Sequence, residues 1–186
     1  MPDLATRNPP QVPAVAWLRA LPPAARFILH AGAAARAAAA LNWGTAFAEQ
    51  ACRAMMEGSR AALWLGPDEY LLLDFATPDI SASAAIVAAL EIALQDIPHA
   101  LVDISHRQFA LEVSGPHAAV ILSGACPLDL DLAEFPVGTC TRTVLAKADI
   151  VLWRTREDAF HLEVWRSFSG YVTGLLREIA AEFDPG

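Results

Sequence analysis

Asp103, Ser105, His106 and Arg107 fall within five positions of one another, and their types are those that could do chemistry. A carboxylate, a hydroxyl and an imidazole can serve as orienter, nucleophile and base when they converge on one reacting atom. Spaced this closely along one strand end, they cannot converge in that way. The pattern instead suits a corner hydrogen-bonded by its own side chains and offered to a ligand or a partner chain. Arg107, Arg142, Arg154 and Arg166 fall at or beside strand ends, and a guanidinium there can grip a carboxylate with two parallel hydrogen bonds. Isolated arginines are also commonly solvated or paired within a fold. The candidate contact residues are therefore Asp103, Ser105, His106, Arg107, Arg142 and Arg166, and no residue is nominated as catalytic. The five histidines (30, 99, 106, 117 and 161) are dispersed, with none four residues from another, so no metal site is expected. H-E-x-x-H, G-x-S-x-G, P-loop and G-x-G-x-x-G motifs are all missing from the sequence.

The elements that must position this corner can be read from periodicity. Leu101–Ile104 is a short apolar run, and Phe109, Leu111 and Val113 alternate with Ala110 and Glu112, which predicts two strands around Ser105-His106-Arg107 as a strand pair. Gly115-Pro116 opens a helix to about Ser123. Upstream, Arg26–His30 reads as a strand and Ala31–Leu41 as an alanine-rich helix ended by Asn42-Trp43-Gly44. For the stretch from there to Met56 the sequence does not decide between helix and loop. Ala61–Leu65 and Tyr70–Asp74 flank a Gly-Pro turn. Ile86, Leu90 and Leu94 recur at helical spacing, with Ser81 or Ser83 as the cap. Arg142–Ala146, Ile150–Trp153 and Phe160–Val164 are further strands, the last with Phe160, Leu162 and Val164 on one face and His161 and Glu163 on the other. Cys126–Gly138 is a loop, and Ser167 caps a final helix whose Gly170 and Gly174 predict close helix packing. The order, close to β-α-β-β-α-β, predicts an α+β fold with a mixed, largely antiparallel sheet and packed helices.

Bulk composition excludes several classes. The 186 residues suit one domain over 14–186, after a proline-rich flexible arm over 1–13. Net charge is −8, with no basic stripe and Lys147 the single lysine, so no nucleic-acid partner is expected. No apolar run reaches the roughly 20 residues of a membrane span, so no membrane association is expected. No secretory leader is visible, and Cys52, Cys126 and Cys140 show no C-x-x-C spacing, which predicts a reduced cytoplasmic protein with structural cysteines.

Several ordered blocks carry a resemblance. Leu63-Trp64-Leu65-Gly66-Pro67-Asp68-Glu69-Tyr70-Leu71, Asp103-Ile104-Ser105-His106-Arg107, Ser114-Gly115-Pro116 and Cys126-Pro127-Leu128-Asp129-Leu130 resemble the gamma subunit of heterotetrameric sarcosine oxidase. So do Phe135-Pro136-x-Gly138, Arg142-Thr143, Leu152-Trp153-Arg154 and Val164-Trp165-Arg166-Ser167-Phe168. The likeness runs from about residue 60 to the C-terminus, while the N-terminal third matches in general character alone.

The resemblance implies a ferredoxin-like fold related to the folate-binding domain of the glycine-cleavage T-protein. It implies a complex with alpha, beta and delta subunits that oxidises sarcosine and passes the methyl carbon to tetrahydrofolate. FAD, FMN, NAD and tetrahydrofolate would then sit on the partner subunits, with no cofactor on this chain alone and self-association when it is isolated. T-protein relatives carry a catalytic aspartate ahead of the strand matched to Tyr70–Asp74, and between Arg53 and Gly66 this chain has Glu57 as its one acid. A non-catalytic assembly subunit is the first expectation. A stand-alone folate-binding or aminomethyltransferase-like one-carbon protein is the alternative, and a ligand-free regulatory module the third.

Overall fold

The computed structural model describes residues 17–77 and 82–183. Its elements run β1 (Leu18–Ala20), β2 (Ala25–Ala31), α1 (Ala33–Trp43), β3 (Ala54–Glu57), β4 (Arg60–Gly66), β5 (Glu69–Asp74), α2 (Ser83–Leu94), β6 (His99–Asp103), β7 (Gln108–Ser114), α3 (Ala118–Ser123), β8 (Cys140–Leu145), β9 (Ala148–Arg156), β10 (Ala159–Trp165) and α4 (Ser169–Ala180). The strands form two five-stranded sheets, ordered β3-β4-β5-β2-β6 and β1-β7-β10-β9-β8. Every strand pairing among the described residues is antiparallel. In the first sheet, β2-α1-β4-β5-α2-β6 is the split β-α-β-β-α-β unit, with β3 added at its edge. The α+β class holds; one mixed sheet becomes two antiparallel ones.

The two sheets pack face to face, because alternate residues of one strand serve different layers. On β5, Tyr70 and Leu72 face α1 and α2, whereas Leu71 and Leu73 join Leu63, Ile104, Cys140, Val151 and Trp153 between the sheets. On β10, Phe160, Leu162 and Val164 pack with Val172 and Leu176 of α4. Alanines 35 and 39 let α1 lie close to its sheet, and buried Trp43 donates from Nε1 to the Ala61 carbonyl at 3.2 Å. Gly44 ends α1 in the left-handed conformation, φ 77°, where its N–H bonds the Ala40 carbonyl.

Four expectations are corrected. The strands on either side of Ser105-His106-Arg107 do not pair: β6 lies against β2, and β7 against β1 and β10. Ile104 is buried in the inter-sheet core and draws the chain from one layer to the other, so the corner is a crossover. Ser83 lies inside α2 with its hydroxyl turned to Asp103, and Ser81 lies outside the described residues, as does the arm over 1–13. Ser167 sits in a 3-10 turn ahead of α4; Ser169, the first residue of α4, donates to the Arg166 carbonyl at 2.7 Å. Gly170 and Gly174 face open space, and the close helix contact is instead at Gly124, where an added Cβ would meet Ile179 at 2.9 Å. Residues 45–53, left undecided by the sequence, form irregular chain in which Phe47 packs edge-on to Tyr70, centroids 5.0 Å apart, before β3 begins.

Candidate functional site

Asp103 is the hub of the crossover. Its carboxylate accepts from the Ser105 N–H at 2.8 Å, the Ser105 hydroxyl at 2.6 Å and the Ser83 hydroxyl at 2.5 Å. Partial burial works against the charge, but these hydrogen bonds outweigh it and hold the carboxyl below the usual aspartate range. Ser105, 1 % exposed, accepts the Arg26 N–H at 2.9 Å and so fastens the corner to β2. His106 is exposed, and its carbonyl accepts from Arg166 Nε at 3.2 Å. Of the six candidates, Asp103 and Ser105 thus hold the corner together.

Arg107 and Arg142 are brought to one place. Both line a cavity of about 290 Å³ between the sheets, with Ile28, Leu65, Leu71 and Ile104 among its apolar walls. The Arg107 guanidinium lies 4.6 Å from the centre of the half-exposed Trp165 ring. Arg142 on β8 grips Glu69 on β5 with bonds of 2.6 and 3.2 Å, a clamp joining the two sheets across the mouth. The Arg142 bond keeps the Glu69 carboxyl below its ordinary range. Buried Gln108 lines the same cavity, and its Oε1 has no hydrogen-bond partner among the described residues. Arg166 is not part of this site. It lines a separate hollow of about 100 Å³ with Ser105, Pro22 and Pro23.

The deepest polar group of the cavity is Glu163, which the sequence placed with His161 on one face of β10. That face is covered by the other sheet. Glu163 accepts from Arg26 Nε at 2.8 Å and faces His161 Nε2 at 2.8 Å. Burial opposes its charge, but the adjacent Arg26 charge and the His161 hydrogen bond overcome that and keep the carboxyl ionised. Phe75 and Trp153 pack on the His161 ring at 5.7 and 5.8 Å. One arginine in the apolar run Ala25–Ala31 was the signal available for this group.

Arg154 resolves as a structural residue. It is 3 % exposed, donates to the carbonyls of Leu130, Phe135 and Glu157, and stacks 4.6 Å over Phe160. It thereby anchors the loop between α3 and β8.

Two facing antiparallel sheets with helices on their outer sides define a class shared with the glycine-cleavage T-protein. Aminomethyltransferase T from Bartonella henselae superposes with a TM-score of 0.63 at 14% identity, covering 86% of this chain and 44% of that one, a likeness of fold alone. A chain of the heterotetrameric sarcosine oxidase from Corynebacterium sp. U-96, solved with pyrrole 2-carboxylate, superposes with a TM-score of 0.80 at 32% identity, covering 89% of this chain and 84% of that one. The gamma subunit of sarcosine oxidase from Corynebacterium sp. strain P-1 is 37% identical over 128 residues, 69% of this chain and 60% of its own. The Arthrobacter sp. gamma subunit is 34% identical over 154 residues, 82% of this chain and 72% of its own. This chain therefore spans about 60% of the length of the first of these relatives. The model of the sarcosine oxidase gamma subunit family matches residues 30–182, and the chain belongs to that family. The match begins well before residue 60, where the sequence blocks first carried the resemblance.

Proposed function

We propose that this chain is the gamma subunit of a heterotetrameric sarcosine oxidase and serves assembly rather than chemistry. The observation that carries the reading is its superposition, at 32% identity over 89% of its length, on a chain of such a heterotetramer. In this reading alpha, beta and delta subunits are its partners, and they hold FAD, FMN, NAD and tetrahydrofolate. The complex oxidises sarcosine and transfers its methyl carbon to tetrahydrofolate in the cytoplasm.

The commitments of the site side chains support an assembly role. Asp103, Glu69 and Glu163 are each engaged by protein donors, and Glu57 lies on the exposed edge strand β3, away from the residues lining the cavity. A cavity of about 290 Å³ sits at the lower limit of the ~300–1,000 Å³ of small-molecule pockets. That size supports placing the flavins and the nicotinamide dinucleotide on the partner subunits. Arg107, with Trp165 beside it, stands ready on the surface for a partner chain, since Arg and Trp dominate buried interface anchors.

The test is tagged purification from the native host, followed by a gel and a visible spectrum. A yellow preparation with three further chains is expected, and Arg107→Ala should weaken their retention without unfolding this subunit. A colourless, lone chain overturns the reading.

The second reading, a folate-binding one-carbon protein, is favoured by the unpaired Gln108 Oε1 in that cavity, an acceptor suited to a ring N–H. Calorimetric titration of the chain with tetrahydrofolate separates the two: no heat removes this one.

A further inference from the structure

Cys52 and Cys140 lie opposite one another where the edges of the two sheets meet. Arg53 and Thr139 form an isolated antiparallel bridge. On one side of it the Ala54 N–H bonds the Gly138 carbonyl, and on the other the Cys140 N–H bonds the Cys52 carbonyl, both at 2.9 Å. One N–H···O=C bond, from Cys140 to Cys52, joins the two backbones and holds their Cα atoms near the roughly 5.5 Å of a hydrogen-bonded antiparallel pair. Disulfides span roughly 4.4–6.8 Å between Cα atoms. We propose that Cys52 and Cys140 form a reversible disulfide that staples the β3 edge of one sheet to the β8 edge of the other. This inference stands on the geometry of the seam and is independent of the assembly reading.

The two thiols differ in a way that sets their order of reaction. Cys52 is partly exposed and sits at φ 59°, a left-handed conformation unusual for a residue with a side chain. Cys140 is 0 % exposed and its thiol points to the Trp64 carbonyl, Sγ to O 3.5 Å. Burial pushes the Cys140 thiol up to about 12, so it does not meet an outside oxidant first. The oxidant is a hydroperoxide. The Cys52 sulfur attacks the peroxide oxygen: an S–O bond forms, the O–O bond breaks, and the other oxygen takes the Cys52 thiol proton and leaves as alcohol or water. Cys140 then attacks the Cys52 sulfur; the S–S bond forms and the S–O bond breaks. The hydroxide that leaves takes the Cys140 proton as water. Two thiols lose two electrons and the peroxide gains them.

The third cysteine is an internal control, because Cys126 is buried with the Thr143 hydroxyl 4.0 Å from its sulfur. The experiment treats the reduced full chain with hydrogen peroxide, then maps peptides under non-reducing conditions and follows thermal unfolding. A Cys52–Cys140 cross-linked peptide is expected, lost in Cys52→Ser and kept in Cys126→Ser. The unfolding midpoint should rise by roughly 5–10 °C and return on reduction, since the bond closes a long loop in the unfolded chain. Cys52 carried on to sulfinic acid with Cys140 still a free thiol overturns the proposal, as does a chain that keeps all three thiols. A crosslink without the midpoint shift overturns the staple. The map of the unsubstituted chain decides the bond even if a variant fails to fold.

Discussion

Arg26 of β2 and Glu163 of β10 meet between the two sheets, Nε to Oε2 at 2.8 Å, with side chains 3 % and 0 % exposed. The pair crosses the interface that defines the fold, and His161 completes it from the Glu163 side. A buried pair is weak evidence of net stability, because two charges have been taken out of water. Removing one partner is nevertheless costly, since the other is left buried and uncompensated.

Glu163→Gln should therefore destabilise the chain by about 3–5 kcal/mol in urea unfolding. The double variant Arg26→Met, Glu163→Leu should recover most of that loss. Equal losses in the single and double variants would show that packing at the site, and not charge, sets the cost.

Acid should unfold the protein through the same group. The folded-state pKa of Glu163 lies below its unfolded value, as do those of Glu69 and Asp103. In the interval between the two values the unfolded chain binds more protons, so stability there rises with pH. The contribution is complete above about pH 4.5, near the unfolded carboxyl range, and is lost as pH falls through the folded value. Unfolding free energies measured from pH 6 down to pH 3 should drop steeply for the native chain and more gently for Glu163→Gln.

Asp103→Ala and Arg142→Ala should separate brace from surface clamp. The first leaves the buried Ser105 N–H without its acceptor and the Ser105 hydroxyl with the longer bond to the Arg26 carbonyl at 3.4 Å, and should cost about 1–3 kcal/mol. The second removes an ion pair whose arginine is 49 % exposed, and should cost about 1 kcal/mol or less. Denaturant midpoints of the two variants, measured side by side, check the order.

Arg154→Met should loosen the loop between α3 and β8. The carbonyls of Leu130 and Phe135 lose a donor at 3.2 and 2.6 Å, and the aliphatic replacement keeps the contact with Phe160. A loss of about 2–3 kcal/mol is expected. Amide exchange should speed up across 128–138 and stay unchanged in α1.

Local signals determined much of this protein. The alternation in Phe160–Val164, the Gly-Pro turn before Tyr70 and the helical spacing of Ile86, Leu90 and Leu94 each mark an element that the structure contains. The ordered motifs from Leu63 to Phe168 were enough to show the family resemblance. A period-2 pattern says that two faces differ. It does not say what covers the second one, and so His161 and Glu163 could not be read as interior, nor Arg26 as their partner. Likewise two apolar runs around a polar corner look the same whether they pair or pass to different sheets. Burial of Ile104 between the layers decides that, and it depends on β4, β5, β8 and β9 arriving on either side. Arg107 and Arg142 lie 35 positions apart and share one cavity because β6 and β7 belong to different sheets. The opposition of Cys52 and Cys140 has the same origin, since it requires two sheet edges that are remote in sequence to meet.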